Sequence, residues 1–120
     1  MQDPLYREII LEHWQNPQNF GVLNEPSFDV SGDNPLCGDH IRLTGLVVEG
    51  RLIDIAFTAE SCSIAQASAS IFTERVKGMT LEDAGLITPD EVLSDLGVEL
   101  TPARTKCALL VSEVMRRHSA

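Results

Sequence analysis

Residues 41–58 constrain the fold more than any other stretch. Ile41, Leu43 and Val47 alternate with Arg42, Thr44 and Leu46, and Ile53, Ile55 and Phe57 alternate with Asp54, Ala56 and Thr58. A period of two sends successive side chains to opposite faces of an extended chain, so each run reads as a strand with one face packed on a core. Between them stands Glu49-Gly50, a pair suited to the positive φ of a tight turn. The two runs therefore form an antiparallel hairpin. Residues 28–31 supply a further short strand, followed by the turn cluster Gly32-Asp33-Asn34-Pro35.

Helical signals flank this sheet. Leu5, Ile9, Ile10 and Trp14 recur at helical spacing over residues 3–14, which makes Trp14 a core residue and leaves Tyr6 and His13 on the flanks. Asn16-Pro17-Gln18-Asn19-Phe20-Gly21 ends that helix, because the residue before a proline is pushed out of the helical region. Ser61 is placed to cap a second helix over residues 62–77, small in its first two turns and stopped by Gly78. Thr88-Pro89-Asp90-Glu91 is a start signal with cap, proline and glutamate in register, for a short helix ending near Gly97. Thr101-Pro102 repeats the device ahead of a last helix, whose stripe is Leu110, Val111, Val114 and Met115. Arg116, Arg117 and His118 close it, where cations suit the negative end of the dipole. The order helix, strands, helices implies an α+β fold, a small antiparallel sheet of about three strands packed with helices, as one domain over residues 1–120.

Composition narrows the function. With 120 residues and 43% hydrophobic content, one core is available and a multi-domain enzyme is not. Nine basic against eighteen acidic residues give a net charge of -9. No basic face is expected for nucleic acid, and a basic protein partner is favoured instead. Neither a membrane span nor a leader is apparent after Met1-Gln2-Asp3-Pro4, so a cytoplasmic protein is expected.

Three cysteines, Cys37, Cys62 and Cys107, cannot all pair within one chain, and no C-x-x-C knuckle occurs. Their settings differ. Cys37 lies in a turn next to Gly38, with the Asp39 carboxylate two residues on. Cys62 sits where the amides and dipole of a starting helix favour a thiolate. Cys107 follows Arg104 and Lys106, two cations that do the same. Each alone could be a small buried hydrophobe. Together, at element boundaries, they point to a shared site in which three thiolates and the Asp39 carboxylate would take Zn²⁺ or an iron-sulfur cluster, with Arg104 offsetting the charge. His40, beside Asp39, could join as a ligand by position, but it begins a strand and reads as a surface or packing residue. Residues 82–95 read as a solvated acidic face.

Tyr6-Arg7-Glu8, Asn16-Pro17-Gln18-Asn19-Phe20-Gly21, Asn34-Pro35-Leu36-Cys37-Gly38-Asp39, Ser61-Cys62-Ser63-Ile64-Ala65-Gln66 and Arg104-Thr105-Lys106-Cys107 together resemble the IscU/NifU-type iron-sulfur cluster assembly scaffold family. The resemblance implies a SufE/NifU-like single domain in which Cys37, Asp39, Cys62 and Cys107 gather at one exposed end. It implies a carrier rather than a turnover enzyme: sulfur arrives from a cysteine desulfurase, a transient [2Fe-2S] cluster is assembled, and apo iron-sulfur proteins receive it. Zinc is the alternative occupant. Lys106 stands where housekeeping members have histidine, and Leu100-Thr101-Pro102-Ala103-Arg104 departs from the Leu-Pro-Pro-Val-Lys segment docked by a dedicated Hsp70-type chaperone, which argues against that partner. The Arg-x-Lys-Cys form is similar to the SufU branch, zinc-dependent sulfurtransferases, for which Cys107 would be the persulfide acceptor. The insertion usual in that branch between the second and third cysteines is missing. A purely structural zinc domain is the third alternative.

Overall fold

The computed structural model describes residues 4–34 and 38–119. The chain runs α1 (Pro4–Gln15), β1 (Phe28–Asn34), β2 (Asp39–Val48), β3 (Arg51–Glu60), α2 (Ser63–Val76), α3 (Leu81–Gly85), α4 (Pro89–Leu96) and α5 (Pro102–Ser119). The strands form one antiparallel sheet in the order β1-β2-β3. The hairpin closes at Val48↔Arg51 through Glu49 and Gly50, both at positive φ, the backbone whose twist matches the flanking strands.

One face of the sheet carries Ile41, Leu43, Ile55 and Phe57 into a core shared with Phe72 and Val76 of α2 and with Val111, Val114 and Met115 of α5. The predicted stripe of α5 is thus the stripe it buries. The connection from α1 to β1 pairs with the outer edge of β3 and then reaches the sheet's other face. Asn19, at φ 59°, accepts from Phe57 N at 2.9 Å, and Gly21 N donates to Phe57 O at 2.8 Å. Farther along, Leu23 N donates to Thr44 Oγ1 at 3.0 Å. The motif that ends α1 therefore goes on to pair with β3. It also stitches onto α2: Asn19 Nδ2 donates to Thr73 Oγ1 at 3.2 Å, and Gln18 N donates to Ser70 Oγ at 2.8 Å. Small residues in the first turns of α2 let its neighbours approach, and Ser68 Oγ donates to Ala108 O at 2.6 Å, pinning α5 beside it.

Several expectations need correction. β1 extends to Asn34, so Gly32, Asp33 and Asn34 are strand rather than turn. Gly32 is there for close approach: a Cβ would stand 2.6 Å from Val114 Cγ2 and 2.7 Å from Arg117 Nη2. Ile53 is exposed and Leu52 buried. Leu46 pairs with Asp54 and Val47 with Leu52, so Ile53 is the extra residue of a bulge that resets the alternation. Trp14 is 43% exposed rather than core, since helical spacing gives a stripe without saying how wide a neighbour covers it. α3, capped by Thr80 Oγ1 accepting from Asp83 N at 3.1 Å, is too short to leave a periodic signal. At Thr88 the start signal is borne out in full: its hydroxyl accepts from Glu91 N, Glu91 accepts from Thr88 N, and Gly97 ends the helix at φ 70°.

Candidate metal centre

At the end of the sheet where β2 begins, three elements bring together residues far apart in sequence. One ligand atom each from Asp39, Cys62 and Cys107 lies within 4.8 Å of the others. Asp39 shares the inward face of β2 with Ile41 and Leu43 and is only 2% exposed. Cys62 is the N-cap of α2 and half-buried. Cys107 lies in the early turns of α5, 1% exposed. Thr101 Oγ1 accepts from Arg104 N at 3.3 Å to start that helix. Neither described cysteine is in a disulfide.

The helix start is built differently from the expectation. Ser61 does not cap α2, and the Cys62 side chain makes no cap bond. Instead Asp39 Oδ1 accepts from Cys62 N at 3.1 Å, so a carboxylate from another strand sits at the positive end of the helix. The cysteine is left with its sulfur available. The second oxygen, Asp39 Oδ2, is buried with no hydrogen-bond partner among the described residues. Leaving such an atom unpaired costs about 1–3 kcal/mol, and a cation between it and two sulfurs would remove the deficit. Two thiols and a carboxylate are a soft donor set suited to zinc or iron.

An open cleft of about 300 Å³ leads to the sulfurs, lined by Cys62, Ala103, Arg104 and Cys107. Arg104 is exposed on this cleft, and Lys106 is exposed next to Cys107. Cys37 falls outside the described residues; its flanks are joined by Gly38 N donating to Asn34 O at 2.9 Å. His40 leaves the group, as its strand position predicts: it alternates to the far face and pairs with Asp33 across the β1–β2 ladder. Cys107 is the residue misjudged from sequence. It lies on the buried stripe of α5, four residues before Val111, rather than at an element boundary outside the apolar stripes. Asn34, read as turn, lies buried beside it.

The fold and site define a class: a small α+β domain whose sheet end and two helix starts assemble a sulfur and carboxylate donor set at one cleft. The chain belongs to the NifU-like N terminal domain family, which it matches over residues 5–118. It is 40% identical to the zinc-dependent sulfurtransferase SufU of Bacillus subtilis (strain 168), over 90% of this chain and 84% of that one. That alignment, 128 residues long, exceeds this chain, so the relative carries residues with no counterpart here. Identity to the iron-sulfur cluster assembly scaffold protein IscU of Haemophilus influenzae is 34%, over 92% and 90% of the two chains. In fold, the chain is similar to a putative iron-sulfur cluster assembly scaffold protein for the SUF system from Fervidobacterium islandicum AW-1, with TM-score 0.79 at 23% identity, covering 92% and 93%. Among the described residues no helix is long and apolar enough to cross a membrane.

Proposed function

We propose that this protein is an iron-sulfur cluster assembly scaffold, which accepts sulfur from a cysteine desulfurase, assembles a transient [2Fe-2S] cluster on Cys37, Asp39, Cys62 and Cys107, and passes it to apoproteins. The observation that carries the reading is the Asp39 carboxylate, which stands with two sulfurs within 4.8 Å of one another and keeps one buried oxygen without a hydrogen-bond partner among the described residues. The IscU relative, named as a scaffold, supports it.

The residues divide the work by chemistry. Sulfur delivery needs a thiolate reachable from outside, and Cys62 and Cys107 both line the cleft. A thiolate attacks the outer sulfur of the donor's persulfide; a sulfur–sulfur bond forms on this chain, the donor's breaks, and the donor cysteine leaves as thiolate. Converting that outer sulfur to sulfide takes two electrons, from excess thiol or ferrous iron, and breaks the new sulfur–sulfur bond so that this chain's cysteine returns as thiolate; iron bound here would hold the sulfide. Asp39 is the hardest donor of the four and so the ligand most readily given up to a soft-metal cargo, which suits a cluster that must leave. The Arg104 guanidinium, on the cleft wall, offsets the negative charge of the loaded site.

A second reading is a zinc-dependent sulfurtransferase with persulfide on Cys107, favoured by the 40% identity to SufU and by Lys106. Anaerobic incubation with a cysteine desulfurase, cysteine and ferrous iron separates the two. A brown product with two irons per chain is expected for the scaffold. Retained zinc with an added sulfur on one cysteine by mass spectrometry would favour the transferase, and neither product would defeat both.

A further inference from the structure

The residue beside the sulfurs that no part of the reading above uses is Asn34. It ends β1, opposite Asp39 in the ladder, and is 8% exposed. Its side-chain Nδ2 is aimed at Cys107 Sγ from 4.0 Å, in a buried setting. Its main-chain carbonyl separately accepts from Gly38 N. So one residue holds the chain on either side of residues 35–37 with its backbone and addresses a sulfur with its amide.

We propose that Asn34 is a positioning residue of the metal centre: its amide N–H donates to the Cys107 sulfur and sets how strongly that thiolate gives electron density to a bound metal. The proposal rests on the metal-centre reading above. A neutral thiol is a weak acceptor, which agrees with the long separation, whereas a thiolate makes a shorter and stronger charge-assisted bond. Groups that bond to a ligand from outside the metal's own contacts fix its orientation, and their loss lowers metal affinity about 10- to 100-fold. Hydrogen bonds to sulfur also tune the electronics of thiolate-bound iron. The Asp39 carboxylate lies within 4.8 Å of the same sulfur, so Asn34 brings a donor to a group otherwise made of acceptor atoms. The Asn34 carbonyl that accepts from Gly38 N belongs to the main chain, which separates the side-chain amide's role from the backbone's.

Asn34→Ala removes the donor; Asn34→Leu keeps a similar volume and removes the N–H without adding a charge. Co²⁺ titration and chelator competition, with thermal melting as the folding control, should show affinity falling about 10- to 100-fold in both. The sulfur-to-cobalt charge-transfer band should move to lower energy as the thiolate becomes a better donor. In the metal-free protein, the side-chain amide resonances of Asn34 should shift on Cys107→Ala. Unchanged affinity and band energy in folded Asn34→Leu, or amide resonances indifferent to Cys107→Ala, would overturn the proposal. Failure of the unaltered protein to bind Co²⁺ would defeat the metal-centre reading instead, while the resonance measurement still decides the contact.

Discussion

Thr44 and Asp39 lie on the same strand, both almost fully buried, at 1% and 2% exposure. Thr44 Oγ1 accepts from Leu23 N at 3.0 Å, so its burial is completed by the loop that crosses the sheet. Asp39 is completed only by half. One oxygen caps α2 through Cys62 N, and the other has nothing. The fold has satisfied the polar group that it needs and left half open the carboxylate that is grouped with two sulfurs. Buried polar atoms are nearly always paired, so the exception at Asp39 is informative where the rule at Thr44 is not.

That contrast can be broken by experiment. Zinc at about one hundred times its dissociation constant should stabilise the native protein by about 2.7 kcal/mol, read as a rise in Tm, and Asp39→Ala should abolish most of that rise. In the metal-free state the same variant should melt close to the parent, since losing the cap on Cys62 is offset by removing an unpaired buried oxygen. A large loss of metal-free stability would mean that Asp39 belongs to the fold, as Thr44 does. Thr44→Val is the mirror test: it should cost about 1–2 kcal/mol in the absence of metal, from an unpartnered Leu23 N–H, and leave the zinc-induced rise intact. A smaller effect is expected from Arg104→Gln, which removes a cation from the cleft wall without touching a ligand. Metal affinity by chelator competition should fall by only a few-fold, because exposed charges are screened.

The smallest effect concerns a carboxylate with no part in the site. Asp29 on β1 is held below the ordinary carboxylate range by its paired hydrogen bonds to Arg42 Nε and Nη2, at 2.8 and 2.6 Å. Because its folded-state value is lowered, its stabilising contribution is present above the ordinary carboxylate value and is lost as pH falls through the lowered one. Arg42→Gln should move its NMR titration upward with no change in metal binding. A change in metal binding would show that the outer sheet face and the cleft are coupled.

Local chemistry was legible along the chain. The turn at Glu49-Gly50, the capping box at Thr88 and the stripe of α5 each depend on residues a few positions apart, and each formed as expected. Legibility stopped where a second element intervened. The bulge at Ile53 exists only in the pairing of β2 with β3, Trp14 is exposed because its helix is only partly covered, and Gly32 reads as a turn until α5 is laid across it. At the site, all three described donors were singled out from their neighbours in sequence. Their order of burial was not, since Cys107 follows two cations on the chain yet turns with Val111 toward the core.

The sequence by itself determined the elements and the donor types, because periodicity, caps and thiol chemistry are properties of neighbouring residues. Only the tertiary structure decided that Asp39 caps the helix bearing Cys62, that Cys107 forms the floor of their cleft, and that Asn34 faces its sulfur. Those residues are 23 to 73 positions apart, and no short-range rule relates positions so distant; packing of two helices on one sheet end does.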